Sequence, residues 1–335
     1  MTKPLRSKGT PEFERAVTRL SPEEVIAEIE AAGLRGRGGS GYPAAEKWRA
    51  VRASGADRRI VIANLMGADP SALGDRALAE GNPHLIVEGA LIAAYASGAG
   101  EAIVAVRREW TEAIQRLRVA AAEATDAHLA GYLMFGTDTS VQLSIWEGSG
   151  AYVAGEETAL IAALSGDRGM PLIRPPYPTE RGLWTVPSVV QNAETLAHAA
   201  WILSHSADAF ASVGTDASRG TKLVTVMGRV AEPGLLEVPL GTPLLAVADG
   251  TIFSVGWNDL GGYRLWLRDR QGNQFYYAHL SAFEVSSGES VLGNWVIERD
   301  RPFAEAVAGQ DDGQEPRAAG FVVQGLLGFH LQGGM

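Results

Sequence analysis

From Ser21 to about Ser212 the chain alternates short β-branched runs with longer apolar helical runs, and after Gly220 the helical runs stop. No other feature constrains the fold as tightly. Such an alternation buries its apolar faces when the strands form a parallel sheet and the helices cover it. SPEEVIAEIEAAG carries both helix-end signals: Ser21 caps, Pro22 suits the first turn, Glu24 completes a capping box and Gly33 stops the helix. RRIVIAN, ending at Asn64, reads as a strand, PHLIVEGALIAAYASGA as an apolar helix and EAIVAVRREW as a second strand, which makes a β-α-β unit. A charged amphipathic helix follows in WTEAIQRLRVAAAEA, then a strand in SVQLSIWEGSG. GEETALIAALSG is a helix with two acids at its start and Gly166 at its end, and the loop MPLIRPPYPTERG leads to the helix NAETLAHAAWILSH. Beyond Gly220, KLVTVMGRV, GLLEVPL, LAVADGTIFSVGW, YRLWLRDRQG and NQFYYAHL are strand-like runs between glycine turns, an all-β or β-grasp region. AVAGQDDGQEPRAAG has the composition of a linker, and the apolar FVVQGLLGFHLQGGM carries no assignment.

The 335 residues suffice for one large domain with an appendage or for two smaller ones. A net charge of −10 argues against a broad nucleic-acid-binding face. No segment approaches the ~20 apolar residues needed to span a bilayer; the best candidate, LIVEGALIAAYASGA, contains Glu88. The stretch MTKPLRSKGTPEFERAV lacks the apolar core of a signal peptide, so the expected compartment is the cytoplasm. There is no cysteine, which excludes Cys-ligated iron–sulfur clusters, disulfides, cysteine nucleophiles and thiolate zinc sites on these residues. Redox chemistry would have to come from a bound organic cofactor or a partner.

The stretch GLRGRGGSGYPAAEKW, Gly33 to Trp48, concentrates glycine and positive charge. Gly36, Gly38 and Gly41 match G-x-G-x-x-G, but a dinucleotide fingerprint needs a strand before it, and here a capped helix precedes it. No Gly-Lys-Ser/Thr triplet supports a Walker loop. What remains is a backbone able to turn its N–H groups inward between Arg35, Arg37 and Lys47, suited to a phosphate or pyrophosphate. A surface loop with solvated basic residues fits the same composition. In GSGAYVAGEETAL, Glu156 and Glu157 open a helix. Helix-dipole stabilisation, about 0.3–1 kcal/mol each, accounts for them; hydrogen bonding to a cofactor ring or a ribose is the functional alternative.

GLRGRGGSGYPAAEKW, DRALAEGNPHLIVEGALIAAYASGA, GSGAYVAGEETAL, RPPYPTERGLW and VVQNAETLAH, in that order, resemble the motifs of one family. It is the FMN-containing, NADH-oxidising flavoprotein subunit of respiratory complex I, shared with NAD-linked hydrogenases and formate dehydrogenases. GTKLVTVMGRVAEPGLLEVPLGTPL resembles the small β-grasp domain that follows in that family. The resemblance spans roughly residues 25–245 and is closest to the formate dehydrogenase and hydrogenase branch. It implies an α/β fold: a Rossmann-like FMN/NADH-binding domain over 1–215, a partial β-grasp over 216–245 and a β-rich segment over 246–335. It implies FMN and NAD(H) as cofactors. Gly36, Arg37, Gly38, Gly39, Gly41 and Lys47 match the loop that contacts flavin and NADH. Asn64 and Asp69 match a second flavin segment, and Tyr152, Gly155, Glu156, Glu157, Thr158, Gln191 and Asn192 match the remaining flavin contacts. Tyr42 and Tyr177 occupy places where aromatic rings stack on adenine, while Ala50 stands where a third ring is common. Lys47 and the loop would then hold the FMN phosphate or ribityl chain, and Glu156 and Glu157 would orient flavin and nicotinamide as the catalytic pair. The implied partners are the iron–sulfur and catalytic subunits of a redox complex, with no nucleic acid and no direct membrane span.

Three departures bear on activity. Where the family reads Asn-x-Asp-Glu-Gly-Glu/Asp-Pro this chain reads NLMGADP, so Met66 and Gly67 replace two acids while Asn64, Asp69 and Pro70 match; Gln191 replaces an Asn. A hydrogen bond to a charged group contributes about 1.5–3 kcal/mol, so these losses are expected to weaken flavin binding. No stretch of these residues resembles the family's cysteine-rich C-terminal domain. Residues 241–283 instead resemble the β-rich core of lysostaphin-like zinc metallopeptidases, with His279 of YYAHL at an active-site histidine position. Their other zinc ligands are missing, and a catalytic zinc needs three, so the segment reads as a non-catalytic β module with no metal. His84 lies in a family-like motif, His128, His198 and His205 sit in helices or at their ends, and His330 falls in an unmatched segment. The expected function is a diaphorase-type, NADH-oxidising FMN subunit; the alternative is an accessory or assembly subunit that keeps the fold without redox turnover. A cell-wall zinc hydrolase, a third reading, rests on the β segment alone.

Overall fold

The computed structural model describes residues 14, 18–67, 72–226, 233–258, 262–280, 283, 285–292 and 296–298. Expectations placed on Asp69, Pro70, the polar linker and the tail with His330 lie outside these residues. The chain divides into two units, Met1–Gly38 with Tyr42–Ala211, and Gly39–Gly41 with Ser212–Met335.

The first unit opens with helix α1 (Pro22–Ala31), whose capping box forms as expected: Glu24 N–H donates to Ser21 Oγ, and Ser21 N–H donates to the Glu24 carboxylate. Helix α2 (Ala44–Arg52) follows the glycine loop. Strands β1 (Ile60–Leu65), β2 (Glu101–Arg107), β3 (Gln142–Gly148) and β4 (Ser188–Asn192) form a parallel sheet in the order β3-β2-β1-β4. Helices α3 (Gly74–Gly81) and α4 (Pro83–Ser97) join β1 to β2, and α5 (Thr111–Asp126) joins β2 to β3. Helix α6 (Glu157–Leu164) precedes β4, while α7 (Ala193–His205) and α8 (Ala207–Ala211) follow it.

Both sheet faces are buried, as the near-continuous apolar runs require. Val61, Ala63, Val104, Val106 and Val189 share one core with Val25, Trp48, Leu91, Leu117 and Leu196 from α1, α2, α4, α5 and α7. The alternate residues Ile60, Ile62, Ile103, Ala105 and Val190 pack on Leu160 and Ile161 of α6. Two elements go beyond the sequence reading. GDRALAEG forms α3, and SVVQN, whose first four residues have no assigned element there and whose Asn192 reads as the helix start, is β4. Because β4 passes into α7 without a turn residue, it lacks punctuation of its own. Its place beside β1 reverses the strand order, so the C-terminal ends of β1 and β4 form a topological switch point, where open α/β sheets bind ligands.

Helices α4 and α7 touch at backbone level. A Cβ on Gly89 would lie 2.0 Å from the Leu196 carbonyl oxygen. Gly89→Ala is therefore expected to lower stability by about 1–3 kcal/mol through overpacking, despite alanine's better helix propensity; a thermal melt checks this.

In the second unit β5 (Thr221–Val226) and β6 (Gly234–Pro239) form an antiparallel pair, as do β7 (Leu244–Leu245) and β12 (Val296–Glu298). Strands β8 (Gly250–Asn258), β9 (Gly262–Asp269), β10 (Gln274–Leu280) and β11 (Ser290–Val291) form an antiparallel sheet in the order β10-β9-β8-β11. Its core contains Ile252, Leu265, Leu267, Tyr277 and Val291. The Tyr277 hydroxyl accepts the Val247 N–H at 3.1 Å, and burial pushes its pKa from 10.0 up to about 12. The folded state thus holds this proton more tightly than the unfolded chain. The stability it contributes is complete below about pH 10 and is lost as pH rises from about 10 to about 12. Tyr277→Phe is expected to remove that component from an alkaline unfolding curve followed by circular dichroism.

Candidate functional site

The sequence-selected residues of the first unit gather at the C-terminal ends of β1 and β4 and at the starts of α2, α6 and α7. The glycine loop is closed by Gly36 N–H donating to Tyr42 O at 2.9 Å and Ala44 N–H donating to Leu34 O at 3.0 Å. Gly39 and Gly41 hold φ of 135° and 61°, where glycine avoids the strain of a side chain. Arg37 N–H donates to Thr195 Oγ1 at 2.8 Å, pinning the loop to α7. A Cβ on Gly38 would stand 3.0 Å from Asn192 Cβ, so the loop backbone lies against the end of β4. Among the described residues no hydrogen bond engages the N–H groups of Gly38 and Gly39. The Arg37 guanidinium does not flank the nest as an exposed cation. It is turned inward, 6% exposed, and Nη1 donates to Arg35 O at 3.0 Å.

On α2, Lys47 Nζ donates to Glu157 Oε2 at 3.0 Å and to Val190 O at 3.1 Å. Glu157 Oε1 accepts from Arg174 Nη1 at 2.8 Å, so one carboxylate bridges two cations. Glu156 differs from its neighbour. It is the N-cap of α6, and Oε2 accepts the N–H groups of Thr158 and Ala159, both at 2.9 Å, and the Thr158 hydroxyl. Thr158 Oγ1 in turn accepts Leu172 N–H at 2.8 Å and fastens the proline-rich loop. Glu156 and Thr158 therefore shape the helix start, and Glu157 is the acid that meets the lysine.

Asn64 bridges two loops: Nδ2 donates to Gly155 O at 3.0 Å and Oδ1 accepts Met66 N–H at 3.0 Å. Tyr152 opens the short turn that ends at Gly155 and is 76% exposed. Met66 is fully buried, and Gly67 has φ 51°. A Cβ on Gly67 would meet the Trp110 indole at 2.2 Å, and Arg107 Nη1 donates to Gly67 O at 2.9 Å. On β4, Gln191 is 5% exposed and its Oε1 is buried with no hydrogen-bond partner. Asn192 is fully engaged: Oδ1 accepts Glu194 N–H at 3.0 Å, and Nδ2 donates to the two Asp75 oxygens at 3.0 and 2.9 Å.

Tyr42 and Tyr177 are both about half exposed and lie within electrostatic reach of one another. Burial, then Glu46, then Tyr177 push the Tyr42 hydroxyl pKa up. Lys47 Nζ lies 6.0 Å from the Tyr42 ring centre, and Ala50 is exposed on α2. Two residues of this arrangement escaped the sequence reading, Arg174 and Asp75. Their signals were present in RPPYP and DRAL, which supplied motif matches but no partner for either charge. The arrangement can receive a phosphate-bearing ligand with a donor for the orphaned Gln191 oxygen, since buried acceptors are rarely left unpaired.

Residues 29–201 match the Nuo51 FMN-binding domain family, and residues 234–297 match peptidase family M23. The chain is 40% identical over 240 residues to the NADP-reducing hydrogenase subunit HndC of Solidesulfovibrio fructosivorans, covering 72% of this chain and 48% of that one. It is 38% identical over 278 residues to an NADH-quinone oxidoreductase subunit of Escherichia coli K12, covering 82% and 62%. Among solved structures, an NAD+-reducing [NiFe]-hydrogenase in the H2-reduced state matches with TM-score 0.68 and 34% identity, over 80% of this chain and 46% of that one. The chain thus spans about half to three-fifths of the length of these relatives. Among the described residues no helix is long and apolar enough to cross a membrane, and no group of three His, Cys, Asp or Glu is placed to hold a metal ion.

Proposed function

This chain belongs to the Nuo51 FMN-binding domain family, and from that premise we propose that its first unit binds FMN at the ends of β1 and β4 and receives NADH there. The observation that carries the reading is the buried Gln191 Oε1 without a donor, one residue beyond the carbonyl that accepts Lys47. Together with the uncommitted N–H of Gly38 and its place beside Asn192, it gives a donor and acceptor set that fits FMN. Bound there, FMN supplies hydride acceptance from a nicotinamide. Lys47 and the loop N–H groups hold phosphate or ribityl oxygens, and Glu157, set by Lys47 and Arg174, orients the nicotinamide. Tyr42 and Tyr177 clamp the adenine. Asn64 and Asn192 act through the loops they fasten.

In this reading the chain is the diaphorase-type subunit of a cytoplasmic hydrogenase, formate dehydrogenase or complex I-like assembly, with electrons leaving through iron–sulfur partners. The domain organisation proposed with it is FMN/NADH-binding up to residue 215, a partial β-grasp to 245 and a β-rich module beyond. Anaerobic NADH added to the FMN-loaded chain is expected to bleach the visible flavin band. One observation favours a second reading, an accessory subunit without turnover: the apolar Met66 and Gly67 where the family carries acids. A bound flavin that NADH leaves oxidised would select it.

A further inference from the structure

At the C-terminal edge of the parallel sheet one side chain ties three loops together. Arg107 ends β2, the strand between β1 and β3. Its Nη1 donates to Gly67 O at 2.9 Å, on the loop after β1. Its Nε donates to Glu109 Oε2 at 3.1 Å, on the loop after β2. Glu109 Oε1 in turn accepts the Gly150 N–H at 3.4 Å, on the loop after β3. The Arg108 N–H, next in the chain, donates to Gly148 O at 2.9 Å. The guanidinium also lies directly against the Gly150 backbone, where a Cβ would stand 2.0 Å from Nε and 2.4 Å from Cζ. Glycine at 150 is therefore what gives the arginine its room.

The segment that follows is held at its far end as well. Asn64 Nδ2, on β1, donates to Gly155 O at 3.0 Å. Between these two anchors runs the turn Tyr152–Gly155, with Tyr152 76% exposed, and Glu156 and Glu157 come directly after it. An exposed aromatic ring on a turn fixed at both ends can stack on a planar ligand without first being ordered, which lowers the cost of binding. As a stabilising device the clip is weak. Glu109 is half exposed, and an ion pair with a solvated partner contributes little to stability. What the arginine does impose is the spacing of the loops on either side of it.

We propose that Arg107 is a positioning residue for the flavin ring, acting through Gly67 and Gly150 to set the loops after β1 and β3 and hence the place of Tyr152. The inference rests on the FMN reading, and its consequence for the loops holds without flavin. The test uses the full chain as Arg107→Met, Gly150→Ala, Tyr152→Ala and the double variant Arg107→Met with Tyr152→Ala. Gly150→Ala crowds the guanidinium off the loop while leaving Arg107 in place, so it disturbs the clip from the opposite side. Three quantities are read: affinity for FMN and for riboflavin, fluorescence of the flavin bound at saturation, and deuterium exchange at residues 150–156 in flavin-free protein. An aromatic ring stacked on the flavin quenches its fluorescence. Arg107→Met and Gly150→Ala are each expected to weaken FMN and riboflavin alike, by about three- to tenfold, because the ring end is affected and not the phosphate. Each should also raise the bound-flavin fluorescence toward that of Tyr152→Ala, and the double variant should be no brighter than Tyr152→Ala alone. A clip with a structural role only would lower the melting temperature and leave the bound flavin as dark as in the wild type. That result, or brightening that adds to that of Tyr152→Ala, overturns the proposal. If the wild-type chain takes up neither flavin, the FMN reading fails. Faster exchange at 150–156 in Arg107→Met then still shows Arg107 setting the loop, and unchanged exchange overturns that as well.

Discussion

Replacing Met66 with Asp and Gly67 with Glu, the acids of the family pattern, is expected to destabilise this protein and not to strengthen flavin binding. Met66 is fully buried in the core that holds Ile62, Ile103 and Ala105, where a carboxylate would be cut off from water. At Gly67 a side chain must begin 2.2 Å from the Trp110 indole on a backbone with φ 51°, which disfavours any β-carbon. Overpacking costs about 1–3 kcal/mol and a buried unpaired charge about 3–5 kcal/mol, so the double variant should lose about 4 kcal/mol or more. For a unit of this size that is a fall in melting temperature on the order of 10 °C. Met66→Leu, which conserves volume, should stay within about 1.5 kcal/mol of the parent. A double variant that melts like the parent and binds FMN more tightly would contradict this account, because the two residues would then be losses in an otherwise unchanged pocket. The structure instead shows a loop packed against Trp110 and tied down by Arg107.

Lys47→Ala is expected to weaken FMN binding about 10- to 100-fold, as follows from losing hydrogen bonds to a charged donor worth about 1.5–3 kcal/mol. Glu157 would keep Arg174, so the variant should fold, and a fluorescence-quenching titration would read the loss cleanly. The neighbouring acids are expected to separate in the same assay. Glu156→Ala removes the α6 cap and should cost about 1 kcal/mol of stability. Glu157→Ala should leave the melting temperature nearly unchanged, since its ion pairs are partly exposed, and should impair reduction by NADH. Equal effects from the two glutamates would contradict the division of labour between them.

What could be read in advance follows from how local each signal is. The capping box at Ser21 and Glu24, the apolar strands β1 and β2 and the glycine-separated strands after Gly220 are written in adjacent residues, and they formed as read. Strand β4 was missed because five residues that run straight into α7 have no boundary signal, although their position beside β1 creates the switch point. In the site, the glycine loop, Lys47 and Glu157 were legible as residue types suited to an anionic ligand. Their pairing was not, because Lys47 and Glu157 are 110 positions apart. The inward turn of Arg37 was equally hidden, since the Thr195 hydroxyl that its N–H reaches lies on α7 and its aromatic neighbour on α8. Motif spacing shows which residues are present; only the packed sheet decides which of them face a ligand.

The measurement that tests the central claim most directly is the flavin content of the full chain after saturation with FMN and gel filtration. The account predicts about one FMN per folded chain, reduced sharply by Lys47→Ala and unaffected by Tyr277→Phe. A well-folded chain that emerges without flavin, or that keeps it equally well when Lys47 is removed, would contradict it.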